Sequence, residues 1–413
     1  MFTGFKKIFT VTFLLIGFVL NAQIKPPPPV LISAYQLPAD NGYSDLYVTF
    51  RISNDKLVFL KDDDGYSGSF EFNVEVLKDD TVVVRKSVTK NININDYEST
   101  KSKNHYVQGI IAFRLKNGKY KLIPEIRLDN TNIDVRLKPI FKEIKPDSLN
   151  NVLEPLIVFK DGNNFIFTNF ENNFPFTNKD IGFLLPVKKT SDTVNIKIIQ
   201  NDNIIIDTNL VKSNYEGLRF VQESNNIVLR KDSTARKFNY FYLNGFSKNL
   251  GEGPVEIKVK VDDKTKVKFR KDVVWYTKPL ILYNPEKAVN LLKIIGEDKE
   301  VSAIFKHPSK LYYKKLVEYW NRKFPQSGKF NEAMNEFYTR ADYALMNFNT
   351  LGKTNGLRTD RAKIYIKYGK PTKIERRYSE QNETLEIWKY DHINREFIFI
   401  DRTGSGNFKL LGK

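Results

Sequence analysis

The chain reads as a mainly β protein, with two tandem β-sandwich domains followed by a C-terminal α+β module in which helices pack on a small antiparallel sheet. Three observations predict this. Apolar and polar residues alternate with a period of two through most of the first 280 positions. Asp-Gly, Asn-Asp and Asn-Gly pairs punctuate the alternating runs, as short turns between antiparallel strands do. From Pro285 onward the apolar spacing becomes helical, and it returns to that of strands near the C-terminus. The expected divisions are a signal peptide at 1–22, sandwich domains at 23–148 and 149–280, and the α+β module at 281–413.

Lys6 and Lys7 precede an uncharged run of 13 residues, 8–20. A membrane-spanning helix needs about 20 apolar residues. A basic start, a short apolar stretch and Ala22 before Gln23 instead spell a secretory signal peptide. Leu20, at the minus-three position, is larger than the small residue preferred there, so the cut falls within a residue or two of Ala22. No later segment has the length and apolarity of a membrane helix, so the mature chain is expected to have no transmembrane segment. Cysteine is absent, which excludes a lipoprotein acyl anchor, thiolate zinc sites and a cysteine nucleophile. A chain of this length buries a large core without disulfides. The expected compartment is the periplasm, with secretion or outer-membrane association as alternatives.

Formal charge is +18, and removal of Lys6 and Lys7 leaves +16. From Lys306 onward there are 22 basic and 12 acidic residues, a balance of +10, and residues 353–377 hold nine basic and two acidic ones. Such a field attracts anions. The export signal directs the expectation away from nucleic acid and toward acidic glycans, lipid headgroups and acidic protein faces. A solvated basic surface serving solubility explains the same composition.

After the signal, Pro26 to Pro29 form a stiff polyproline entry. Strands are expected at 45–53, 69–77 and 81–85 in the first block and at 155–159, 164–168, 194–199 and 255–261 in the second. Residues 118–129 and 253–262 echo one another: a turn glycine, alternation and a closing aspartate. In the last third, helices are expected at 286–297, from Pro308 to near Pro325, and at 329–349. The third has Phe330, Met334, Phe337, Ala341, Ala344 and Phe348 at i, i+3/i+4 spacing. Gly352 and Gly356 break the chain, and strands are expected at 363–368, 385–390 and 396–401. On the first of these, alternation puts Ile364, Ile366 and Tyr368 against the helices and Lys363, Tyr365 and Lys367 on the open face.

An ordered set of features runs through this last third: Tyr319-Trp320, Asn331-Glu332, Arg340, the turn from Gly356 to Asp360, Tyr365-Ile366, Tyr368-Gly369 with Pro371, Ile387-Trp388, and Phe399 with Asp401. Together they resemble the GWxTD domain, a family of envelope proteins from Bacteroidetes-type and related bacteria whose function is largely unknown. The resemblance implies that Gly356, Thr359, Asp360, Arg340 and Trp388 form the structural motif. Leu357 stands where the family has tryptophan, and Ala362 where glycine is common. If that tryptophan plugs a seam between helices and sheet, leucine fills most of its volume.

The residues suggest little catalytic chemistry. His105, His307 and His392 are far apart in sequence and lack metal-ligand spacing; no HExxH, CxxC or phosphate-binding glycine loop occurs. Asp62-Asp63-Asp64-Gly65 lacks the alternating ligands of a calcium loop and reads as a turn. Neither cofactor nor metal is expected. Thr359-Asp360 with Arg340 is the most interesting polar group, and the expectation is a turn clamp: Asp360 accepting backbone N–H bonds and pairing with an arginine. The candidate binding residues are Lys363, Tyr365, Lys367, Lys370 and Lys373. The expected function is a non-enzymatic envelope protein that docks protein partners and presents a basic module to an acidic glycan, lipid headgroup or acidic protein. The alternatives are a polysaccharide or lipopolysaccharide binding module and an enzyme using Asp360.

Overall fold

The structure, a computed structural model, describes residues 30–39, 42–129, 131, 133–144, 152–187, 192–261, 266–350 and 355–412. The expected signal peptide and polyproline entry lie outside the described residues. Among those residues the strands form five sheets of three, six, seven, five and four strands, and the chain is mainly β with a helical C-terminal region.

Alternation decides how the first four sheets stack. In the strand Tyr43–Ser53, the even residues Leu46, Val48, Phe50 and Ile52 enter one core with Phe70, Phe72, Val74 and Val76 of the strand Gly65–Lys78. That core closes the three-stranded sheet on the six-stranded one. The odd residue Tyr47, with Tyr35 and Leu37 of the strand Val30–Pro38, points the other way. These rings meet Leu156, Val158, Phe167 and Phe220 of the seven-stranded sheet. Ile157, Phe183 and Leu185 on the opposite face of that sheet then pack on Val194, Ile196, Ile257 and Val259 of the five-stranded sheet.

Four layers of six, three, seven and five strands are thus joined by three apolar seams. Each outer pair is a two-sheet unit of the kind the alternation predicts. The middle seam, which couples the pairs, is an addition to that expectation. Seven expected strands fall on observed ones, Tyr43–Ser53, Gly65–Lys78, Thr81–Ile94, Leu156–Asp161, Asn164–Phe167, Thr193–Gln200 and Gly253–Lys260. The echoed runs both begin strands on a glycine of positive φ, Gly118 at 155° and Gly253 at 118°. Asp62 to Gly65 is a turn, with the Asp64 N–H donating to Asp62 Oδ1 at 3.2 Å.

One short helix, α1 (Tyr97–Thr100), lies in the first block. Five more follow: α2 (Pro285–Leu291), α3 (Asp298–Phe305), α4 (Tyr312–Lys323), α5 (Glu332–Asn347) and α6 (Asp360–Tyr368). Asn284 caps α2 and Asn331 caps α5 through side-chain oxygens that accept an N–H of the first turn. The last sheet is antiparallel, in the order Lys373–Tyr378, Thr384–Tyr390, Arg395–Asp401, Lys409–Gly412. No helix among the described residues is long and apolar enough to cross a membrane.

One expected element is corrected. Residues 363–368 are the body of α6, not a strand. Thr359 caps the helix, Gly369 at φ 84° ends it, and α6 packs on α5 and the final strand. Its local text alternates, but capping at both ends and burial of Arg361, Ala362, Ile364 and Ile366 favour the helix. The strands that complete the sheet are Lys373–Tyr378 and Lys409–Gly412, which were not expected.

Candidate functional site

The stretch around Gly356 is built from the end of α5. A Cβ on Gly356 would stand 2.4 Å from the Ala344 carbonyl and 3.0 Å from that of Leu345, so this turn requires glycine. Its N–H donates to Asn349 Oδ1 at 2.8 Å. Leu357 packs against the C-terminal core. The Thr359 hydroxyl donates to the Gly356 carbonyl at 2.8 Å and accepts from the Ala362 N–H at 3.2 Å.

Asp360 accepts a backbone N–H, as expected, but its cation is a lysine and not an arginine. One oxygen accepts from the Leu410 N–H at 3.2 Å and the other pairs with Lys363 at 2.8 Å, tying α6 to the final strand. Partial burial works against ionisation, but these donors outweigh it and the carboxyl sits below its ordinary range. Arg340 is elsewhere: it pairs with Glu336 one turn earlier on α5 and donates to the Lys367 carbonyl at 3.4 Å. Its guanidinium lies 3.1 Å from where a Cβ on Gly369 would be. Arg340 therefore seals the C-terminal end of α6, and a cation there suits the helix dipole.

Two residues that the sequence reading did not single out hold the centre. Arg361, next to Asp360, turns inward between Phe408 and Phe348, 4.3 and 5.2 Å from their ring centroids. Its Nη1 reaches Glu386 at 3.4 Å and its Nη2 the Gly406 carbonyl at 3.3 Å. Glu386 is 3 % exposed and also accepts from Trp388 Nε1 at 2.7 Å and Arg376 at 3.3 Å. Burial lowers the Arg361 pKa, and Glu386 opposes that shift. Asp401 closes the far side, accepting from the Gly406 N–H at 2.6 Å and the Thr403 N–H at 3.2 Å. The available signal was alternation, which puts Glu386 on the same strand face as Trp388 and Tyr390.

The candidate binding residues separate into three groups. Lys363 and Lys367 are exposed on α6 and share a face because they are four residues apart, not because they alternate. Tyr365 leaves that face: it stacks on Tyr343 at 4.5 Å and meets Trp388 edge-on. Lys373 belongs to an exposed ion cluster on the last sheet, where Glu375 holds Lys389, Arg377 and Lys373 at 2.9, 2.7 and 3.1 Å. Those partners pull the Glu375 carboxyl down to about 2. Lys370 lines a polar hollow of 460 Å³ with Arg340, Tyr365, Tyr368, His392 and Asn104. His307 and His392 are both exposed.

The arrangement supplies cations on a helix face and a polar hollow at its end. The carboxylates of Asp360, Glu386 and Asp401 are all occupied by protein donors. No group of three or more acidic, histidine or cysteine side chains among the described residues has the geometry of a metal site.

Comparison with known proteins adds a family. The model of the GWxTD domain matches residues 262–409. No curated protein matches the chain. Among solved structures, a purple acid phosphatase from yellow lupin (Lupinus luteus) seeds aligns at 9 % identity with a TM-score of 0.17, over 60 % of this chain and 41 % of that one. A likeness of that size carries no argument about fold or activity.

Proposed function

Residues 262–409 make this a GWxTD domain-containing protein, and from that premise we propose an exported, non-enzymatic component of the cell envelope that docks a partner through its basic C-terminal module. One observation carries the reading. Thr359 and Asp360 of the motif, and Arg361 beside them, are bonded to the protein: Thr359 to a helix N-terminus, Asp360 to a strand and Arg361 to Glu386. What α6 turns outward is Lys363 and Lys367. A motif of this construction holds a shape and leaves recognition to the surface around it. The periplasm is the compartment that the signal text supports. That both Asp360 oxygens have protein partners supports the non-enzymatic reading over one that uses Asp360.

The test is charge reversal on the outer face of α6. Each basic residue near an anionic surface contributes about 1 kcal/mol. K363E/K367E is therefore expected to lower retention on anionic envelope extracts more than tenfold at low salt, to lose that difference at high salt, and to unfold slightly below the parent temperature, because K363E sets a like charge beside Asp360. Unchanged retention would remove the docking role from this face.

A further inference from the structure

A second site lies away from the motif, where the three-stranded sheet, the seven-stranded sheet and the segment entering α2 meet. Two cavities of 580 and 440 Å³ adjoin there and share Arg51, Asn104, Tyr106, Phe170, Tyr276 and Thr277 in their walls. Sites that enclose small ligands have volumes of about 300–1,000 Å³ and often sit where domains join. Tyr283 adds a further aromatic wall to the larger one.

The shared wall is a layered stack. The Arg51 guanidinium lies between the rings of Tyr106 and Phe170, 3.3 and 3.9 Å from their centroids, and Phe170 stacks on Tyr276 at 4.5 Å. Rings on both faces confine the donors of Arg51 to its edge. The Thr168 carbonyl takes one of them at 3.1 Å and the Tyr106 side chain a second. A guanidinium has five N–H groups.

No carboxylate among the described residues lies within ion-pair distance of Arg51. The acids nearby are committed elsewhere, Asp55 to Lys56 at 2.8 Å and Glu171 to the backbone of Ile32. The other cation set deep in the wall, Lys278, is neutralised by both oxygens of Glu252 at 3.1 Å. Burial brings the Arg51 pKa down to about 10, so it remains charged at neutral pH. A partly desolvated charge without a counter-ion is costly, and here it opens onto two cavities.

We propose that this cleft binds an acidic saccharide of one or two rings, whose single carboxylate pairs with the edge of Arg51 while its sugar faces lie on Tyr283 and on the side of Tyr276 turned away from Phe170. One half-buried cation with no carboxylate in ion-pair reach suits a carboxylate better than a phosphate monoester, which carries nearly two charges. The apolar faces of a pyranose suit aromatic walls. Exposed Lys103 at the rim draws the anion in. This site is independent of the α6 surface.

The test is calorimetric titration of the exported protein with a uronic-acid disaccharide, a neutral disaccharide of the same size and a hexose phosphate. The uronate is expected to bind saturably and at least tenfold more tightly than the other two. R51Q is expected to remove that preference. T277W, at an exposed residue that lines both cavities, is expected to abolish uronate binding by filling the mouth, and it decides the matter if R51Q fails to fold. K363E/K367E is expected to bind the uronate as the parent does, which separates this site from the docking face. Absence of uronate binding, equal binding of the neutral sugar, or full binding by T277W would overturn the site. Tighter binding of the phosphate would overturn its assignment to a carboxylate.

Discussion

Substitution of Glu386 by leucine tests whether the centre of the C-terminal module is held by its buried carboxylate. The change removes the acceptor of Trp388 Nε1 and the only acid within ion-pair reach of Arg361 among the described residues. Breaking a buried pair by removing one partner costs about 3–5 kcal/mol. The distances of 3.4 Å to Arg361 and 3.3 Å to Arg376 exceed the roughly 2.7–2.9 Å of strong charge-assisted bonds, so the lower part of that range applies. Arg376 is largely exposed and adds little. The orphaned indole N–H is part of the same loss and is not added to it. The expected cost is therefore about 3 kcal/mol, or roughly 10 °C for a module of this size.

Trp275, Trp320 and Trp388, the three tryptophans of the chain, all lie in the C-terminal core. Urea unfolding followed by tryptophan fluorescence therefore reads this module. A second variant sharpens the test. R361M/E386L removes both charges, and exchange of a buried pair for apolar residues is commonly neutral or stabilising. It is expected to recover most of the loss. A single-variant cost below about 1 kcal/mol, or a double variant as unstable as E386L, would refute the account of Arg361 and Glu386 as a mutually dependent buried pair.

Two further substitutions probe the motif. T359A removes the cap of α6 and is expected to cost about 1 kcal/mol in the same unfolding assay, with T359S close to the parent. D360N weakens the link between α6 and the final strand and is expected to flatten the acid limb of the stability profile. The Asp360 pKa is depressed by folding, so its contribution is complete above the ordinary carboxyl value of 3.8 and is lost as pH falls through the lower folded value. Equal parent and D360N stability at neutral pH would show that the clamp contributes nothing.

Period-two text was legible wherever a strand has apolar partners on at least one face. The runs around Phe50, Phe72 and Ile196 show this, because each places its large side chains in one seam. Residues 363–368 misled because Lys-Ile-Tyr-Ile-Lys-Tyr alternates while the chain is helical. A short helix packed between α5 and the final strand is buried around much of its circumference, so no single 3.6-period stripe is left to read. The end signals, Thr359 and Gly369, were present and specified the element correctly. Arg340 was legible as a motif member but not its partner, since pairing with Glu336 or with Asp360 depends on where α6 lies. The Arg51 stack was not legible at all. Its members come from positions 51, 106, 170 and 276, and only the packing of three parts of the chain assembles them.

The seam between the three- and seven-stranded sheets has a consequence for how this gene can be cut. A fragment beginning after residue 150 would carry Leu156, Val158, Phe167, Leu184 and Phe220 as a bare wall, because Tyr35, Leu37 and Tyr47 would be gone. Such a wall invites aggregation. The front third is thus not a detachable cassette, and recombination that swaps it must bring matching aromatic teeth. Inheritance of this architecture is expected to be all or nothing across that joint, however freely sequence drifts on the outermost faces.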